Sequence, residues 1–265
     1  MQGKPTVLIT GASSGIGATY ASRFAQRGHN LVLVARNKAK LDDLASSFRQ
    51  KNGIDVDIIQ ADLTRLEDLE TVETRLQEDH AIGILVNNAG TGLSGSFLQQ
   101  SLDDITQLVM LNSTAVVRLA RAIAPRLVEK GDGAIINVGS VVGLAPEFAQ
   151  TVYGATKAFV LFLSQGLSAE LLPKGVYVQA VLPAATRTEI WERLGADLSL
   201  LPPLMEVDEL VDAALVGFDR KEAVTIPPLQ DISQWDAYEA ARVAMIPGFA
   251  NNHPAQRYVE TPGNS

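Results

Sequence analysis

Short runs of consecutive apolar and β-branched residues recur along the chain. Longer stretches, in which apolar positions fall three and four residues apart, separate them. The runs are "TVLIT" (6–10), "NLVLVA" (30–35), "VDIIQ" (56–60), "IGILVN" (82–87), "AIINVG" (134–139) and "VYVQAVL" (176–182). The stretches with helical spacing are roughly 15–28, 38–51, 65–79, 103–130 and 152–172. Strands that are apolar on both faces and alternate with helices predict an α/β fold, a doubly wound parallel sheet covered by helices on both sides. The pair "AVTI" (223–226) predicts an edge strand. Between 183 and 222 the alternation loosens, which predicts a substrate-loop region. From about 247 to 265 the chain is rich in Pro, Asn and Gly, which predicts an irregular tail, surface-wrapping or partly disordered. No Pro/Gly/Ser-rich linker divides the chain, so the pattern reads as a single domain over 1–265.

Composition narrows the function. With 265 residues, 46% hydrophobic and 20% charged, the chain can bury a full core. A net charge of −8 argues against nucleic acid and anionic membrane surfaces as partners. The absence of cysteine excludes disulfides, thiolate catalysis and cysteine-ligated metals. The three histidines, His29, His80 and His253, are too scattered to suggest a metal site. The N-terminal "MQGKPTVLIT" lacks the long apolar core of a signal peptide, and no apolar run reaches transmembrane length. The expected compartment is the cytoplasm.

Candidate chemistry sits where strands end. "TGASSGIG" (10–17) follows the first strand and opens the first helix. Gly11 suits a tight turn, Gly15 close approach of backbone to a phosphate, and Gly17 close packing of helix on sheet; exposed N–H groups would bind a pyrophosphate. A plain helix start capped by Ser13 or Ser14 is the competing reading. "NNAG" (87–90) ends the fourth run, so Asn87 and Gly90 would line the crevice beside Gly11. Asp62 in "ADL" (61–63) suits either an adenine amino group or the cap of the next helix. In "TVYGATKAF" (151–159), Tyr153 and Lys157 share a helix face, and no carboxylate lies between Thr151 and Ser168 to pair with the ammonium.

Together, TGASSGIG, NNAG, a serine after the fifth strand and Tyr-x-x-x-Lys resemble the short-chain dehydrogenase/reductase family over about residues 5–190. The resemblance implies a Rossmann-type fold and an NAD(P)-dependent oxidoreductase acting on alcohols and carbonyls. It implies Asn112, Ser140, Tyr153 and Lys157 as the catalytic set. It implies Gly11, Ser13, Ser14, Gly15, Ile16, Gly17, Arg36, Asp62, Leu63, Asn88, Ala89, Gly90, Pro183, Thr186 and Thr188 as further cofactor contacts, with Tyr153 and Lys157 also touching the cofactor. A free phenol has a pKa of about 10, so an ammonium on the same face would make Tyr153 a usable acid–base near neutral pH. Ser140 would hold the substrate oxygen, Lys157 would bind ribose hydroxyls, and Asn112 would hold a water leading from Lys157 to solvent.

Two positions depart from or refine that pattern. "PAATRT" (183–188) has Ala184 where the family has glycine, leaving the carboxamide contact to Thr188 with Thr186 as competitor. The second strand ends in Ala35 and Arg36 with no carboxylate for a ribose 2′-hydroxyl, so NADP (NADPH/NADP+) is expected over NAD. Val142, Leu144, Phe148, Trp191 and Leu194 suggest an apolar pocket for a small carbonyl or alcohol. The alternatives are a 3-oxoacyl-carrier-protein reductase, with Arg118, Arg121 and Arg126 as a basic dock, and a non-catalytic NADP-binding sensor. The two long helices, 103–130 and 152–172, carry apolar residues beyond one stripe, which predicts a homodimer or homotetramer.

Overall fold

Parallel strands form one sheet: β1 (Thr6–Thr10), β2 (Leu31–Ala35), β3 (Val56–Gln60), β4 (Ile82–Asn87), β5 (Gly133–Val138), β6 (Val176–Val181) and β7 (Val224–Thr225). The structure is a computed structural model describing residues 3–193 and 203–259. Among the described residues the sheet order is β3-β2-β1-β4-β5-β6-β7. The chain order reverses between β1 and β4, so the carboxyl ends of these two strands open a crevice where an α/β sheet binds ligands. Every one of the long apolar runs is a strand within a residue of its expected bounds, and β7 is the expected edge strand.

The helices are α1 (Gly15–Gln26), α2 (Lys38–Asn52), α3 (Leu66–Glu78), α4 (Leu102–Val109), α5 (Ala115–Lys130), α6 (Thr151–Leu171), α7 (Ile190–Arg193), α8 (Val207–Asp219) and α9 (Ser233–Ala244). Alternation along each strand divides the core between the two faces. Val7, Ile9, Leu33 and Ile136 join Tyr20 and Phe24 of α1, Leu41 of α2 and Val211 of α8. Leu8, Val32, Leu85 and Ile135 join Leu69 and Leu76 of α3 and Leu119 and Ile123 of α5 on the other face. Successive strand residues point to opposite sides, which is why both faces read as apolar in sequence.

The stretch expected as one helix over 103–130 is two helices joined by a π-helical turn at Met110–Thr114. A π turn inserts one residue into the helical ladder and re-aims the side chains within it. The combined stretch Leu102–Lys130 is also long and apolar enough, by length and composition, to cross a membrane, contrary to the expectation that none is. Its apolar character has a local cause: Leu119, Ile123 and Leu127 are fully buried in the core.

Within the 183–222 stretch, residues 203–222 are more ordered than expected, because they hold α8. Arg23 of α1 pairs with Asp208 at 2.8 Å and Asp212 at 2.6 Å, and Arg27 with Asp219 at 2.8 Å. The chain divides into two compact units, Met1–Pro228 and Leu229–Ser265. In the second unit, α9 and the 3-10 turns Ile246–Ala250 and Gln256–Tyr258 bury no residue among those described. Trp235 and Tyr238 stack within it at 5.4 Å.

Candidate active site

The glycine loop begins where β1 ends. Gly11 and Gly15 have φ of 65° and 53°, the left-handed region that suits glycine. A Cβ on Gly11 would lie 2.9 Å from the Ala89 Cα, so the loop packs directly on the segment after β4. On Gly17 it would lie 2.3 Å from the Gly11 carbonyl oxygen and 2.5 Å from Asn88 Nδ2. Gly17 therefore seats α1 on its own preceding loop, where close packing on the sheet was expected. Ser14 occupies the N-cap position in extended backbone, yet its side chain makes no capping hydrogen bond. Ile16 packs against the core of the α1 face.

Asn88 ties this loop to β4. Its Nδ2 donates to the carbonyls of Thr10 (2.9 Å) and Gly11 (3.3 Å). Thr10 Oγ1 in turn accepts from the N–H groups of Asn88 and Ala89, both at 3.0 Å. Asn87, expected to line the crevice, is instead buried. Its Nδ2 donates to Asn137 Oδ1 at 3.0 Å and to the Val116 carbonyl at 3.3 Å. The alternation of a strand decides this, since adjacent residues face opposite ways.

Ser140, Tyr153, Lys157 and Asn112 converge beside Gly90. A Cβ on Gly90 would lie 3.2 Å from Asn112 Oδ1 and 3.5 Å from Lys157 Nζ. Lys157 is buried; its Nζ donates to the Val138 carbonyl at 3.0 Å and lies 5.7 Å from the Tyr153 ring centre. Burial lowers the Lys157 ammonium from 10.5 to about 8. Burial also raises the Tyr153 phenol, and its hydrogen bond with Ser140 acts in the opposite direction. Ser140 thus favours the phenolate by its hydrogen bond, and Lys157 stands close by. Ser140 is buried, accepts from the Val142 N–H at 3.2 Å and lies within 3.3 Å of the Pro183 carbonyl.

Asn112 lies in the π turn and is almost fully buried. Its Nδ2 donates to the Thr91 carbonyl (2.9 Å) and Thr156 Oγ1 (3.2 Å), while its Oδ1 accepts from the Thr91 N–H (3.0 Å). Thr91 and Thr156 escaped the sequence reading. They stand 21 and 44 residues from Asn112, with no local pattern to connect them.

After β6 the two threonines separate. Thr186 is buried and its hydroxyl donates to the Ala184 carbonyl at 2.9 Å. Thr188 instead faces the glycine loop: a Cβ on Gly15 would meet its Cγ2 at 3.3 Å. Ala184 is not among the residues with positive φ, so a side chain is accommodated there without backbone strain.

Arg36 and Asp62 end neighbouring strands and meet loosely, 4.0 Å apart, with Arg36 69% exposed. Asp62 Oδ1 accepts from the Thr64 N–H (3.1 Å) and hydroxyl (2.8 Å). One carboxylate oxygen thus closes the turn before α3, and the other faces Arg36. Leu63 is buried in the core. Of the candidate pocket residues, Phe148 is exposed, and Trp191 Nε1 donates to the Thr186 carbonyl at 2.7 Å. Val142 and Leu144 lie in a 3-10 turn that buries neither; Leu194 lies outside the described residues. Of the alternative basic dock, Arg118 and Arg121 line one surface pocket together with Glu73, and Arg126 stands apart. Arg126 is buried and bonds the carbonyls of Leu76 and Ile82, and Arg118 pairs with Glu73 at 2.5 Å.

A family profile described as short chain dehydrogenase matches residues 5–199. A solved structure described as a short-chain dehydrogenase from Sphingobium yanoikuyae in complex with NADPH is 64% identical, with a TM-score of 0.95 over 96% of this chain and 100% of that one. A structure of the bulky-bulky ketone specific alcohol dehydrogenase from Comamonas testosteroni is 59% identical, with a TM-score of 0.91 over 97% of this chain and 99% of that one. Among curated proteins, the very-long-chain 3-oxoacyl-CoA reductase of Anas platyrhynchos is 35% identical over 189 residues, 69% of this chain. The match spans 60% of that relative's length.

Proposed function

The chain belongs to the short-chain dehydrogenase family, and from that premise we propose that it is an NADPH-dependent oxidoreductase interconverting ketones and secondary alcohols. The convergence of Ser140, Tyr153, Lys157 and Asn112 beside Gly90, at the carboxyl edge of the sheet, carries this reading. The glycine loop fits a dinucleotide: it has two positive-φ glycines and leaves the N–H groups at the start of α1 without a side-chain cap. Arg36, exposed at the end of β2, fits a ribose 2′-phosphate. Thr188, beside Gly15, is the threonine nearest the glycine loop and would contact the cofactor from that side. The bound nicotinamide supplies or accepts the hydride.

The remaining chemistry falls to the protein. Tyr153 gives its phenolic proton to the ketone oxygen in reduction, and takes it from the alcohol in oxidation. Ser140, hydrogen-bonded to the phenol, shares that oxygen and fixes it at the proton donor. Lys157, held by the Val138 carbonyl, sets a positive charge near the phenol and would bind the ribose hydroxyls of the cofactor. Asn112, with its amide committed to Thr91 and Thr156, fixes the π turn beside Lys157; the proton route to solvent passes this turn.

The substrate class proposed is a ketone bearing two bulky apolar substituents. Phe97, Leu98 and Phe148, exposed at 55%, 92% and 55%, follow the carboxyl ends of β4 and β5, and the relative from Comamonas testosteroni is described as specific for such ketones. A carrier-bound 3-oxoacyl chain is the weaker reading, because Arg118 and Arg126 are already engaged within the fold. We propose a cytoplasmic homo-oligomer without membrane or nucleic-acid partners. Residues 183–193 would form the wall nearest the substrate. The deciding experiment follows NADPH absorbance across bulky diaryl and arylalkyl ketones, small ketones and 3-oxoacyl thioesters. Turnover confined to the thioesters refutes the ketone assignment.

A further inference from the structure

Residues 183–193 cross from the β6 side of the cleft towards the β2 side. Their base is anchored: the Arg187 N–H donates to the Met205 carbonyl at 2.9 Å, the Met205 N–H to the Ala185 carbonyl at 3.0 Å, and Arg187 pairs with Glu206 at 2.8 Å. Their tip lies on the glycine loop, where Thr188 approaches Gly15. The next residue, Glu189, reaches across. Its two carboxylate oxygens accept from Lys40 Nζ at 3.0 and 3.2 Å, a pairing between residues 149 apart in sequence. Lys40 stands in the first turn of α2, four residues after Arg36, on the wall proposed to receive the 2′-phosphate.

We infer that Lys40 and Glu189 form a latch across the mouth of the cofactor cleft, holding the 183–193 segment down and slowing cofactor release. This rests on the dinucleotide reading of the cleft. The ammonium and the carboxylate come from opposite walls, so the closed pair would hinder a cofactor lying along the glycine loop from leaving on that side. Both side chains are about half exposed, at 47% and 49%, so solvent and salt reach the pair and it opens readily. That suits a gate better than a structural bond, since cofactor exchange must proceed each turnover and release steps commonly set kcat. An exposed pair of this kind changes a rate by about two- to fivefold.

The test is stopped-flow displacement of NADPH from the full chain by excess NADP+, read by NADPH fluorescence. Glu189→Gln removes the carboxylate's charge without touching the phosphate wall. It should speed release about two- to fivefold, and added salt should speed release more from the unmodified protein than from the variant. The exchanged pair, Lys40→Glu with Glu189→Lys, is read with NADH, which carries no 2′-phosphate for the new carboxylate to repel, and should restore slow release of that cofactor. Repeating the Glu189→Gln measurement with NADH separates a latch, which speeds release of both cofactors, from a phosphate contact, which affects NADPH alone. Unchanged release of both cofactors in Glu189→Gln, or an effect on NADPH alone, overturns the latch. If the unmodified protein binds neither cofactor, the dinucleotide reading itself fails, and that result is distinct.

Discussion

The ammonium of Lys157 lies 5.7 Å from the centre of the Tyr153 ring and is held there by the Val138 carbonyl, the last residue of β5. One turn of α6 sets the pair on the same side, and the sheet edge fixes the lysine end. Tyr153→Phe removes only the phenolic hydroxyl. Turnover of an established ketone should fall by a factor on the order of 10² or more, while fluorescence titration shows NADPH affinity retained. Near-normal turnover would remove Tyr153 from the mechanism.

The buried ammonium also has a pH signature. With the folded pKa lowered to about 8 from 10.5, the native state binds fewer protons than the unfolded chain between those values. Stability from this group therefore rises with pH across that window, and below it the cost of burying the charge is fully present. Denaturant unfolding between pH 7 and 10 should show this rise, and Lys157→Met should abolish it while stabilising the fold at pH 7. A flat profile in the unmodified protein contradicts a buried, depressed lysine.

Cofactor preference should turn on Arg36. Its present contact with Asp62 is long and exposed, so little is lost when the guanidinium turns to a phosphate. A charge-assisted contact contributes about 1.5–3 kcal/mol, or roughly one to two orders of magnitude in affinity. Arg36→Ala should weaken NADPH by that factor and leave NADH nearly unchanged. Ala35→Asp with Arg36→Ala should reverse the preference. Equal affinity of the unmodified protein for both cofactors would defeat the assignment.

Assembly should depend on α6. Phe159 and Phe162, three residues apart on its outer side, are 41% and 75% exposed. A monomer leaving both in water forgoes about 1.5–3 kcal/mol for each large side chain that could be buried. Light scattering at micromolar concentration should give a dimer or tetramer mass, and Phe162→Glu should reduce it. A monomeric mass for the unmodified chain refutes the proposal.

Gly17→Ala should be among the most damaging small substitutions. Its Cβ would meet the Gly11 carbonyl and Asn88, both parts of the framework on which the glycine loop rests. Overpacking of this kind costs about 1–3 kcal/mol, so a clear drop in melting temperature and weaker NADPH binding are expected together. Unchanged melting would mean the loop yields more freely than its hydrogen bonds to Asn88 imply.

Sequence alone determined whatever follows from local chemistry and period. Apolar runs such as "TVLIT", short and rich in β-branched residues, read as strands buried on both faces, and their alternation with helices makes a parallel sheet the way to cover them. Tyr153 and Lys157 share a face because the helical repeat puts them there. What the tertiary structure decided depends on partners far apart in the chain. Asn88 rather than Asn87 reaches Gly11 because strand alternation meets a particular neighbour, and Thr188 rather than Thr186 lies on Gly15 because the turn after Ala184 rotates one hydroxyl inward. The π turn around Asn112 is set by Thr91 and Thr156, and the Lys40–Glu189 pair by the meeting of two opposite walls. Long-range pairings carry no sequence period, because chain distance does not constrain which side chains the sheet brings together.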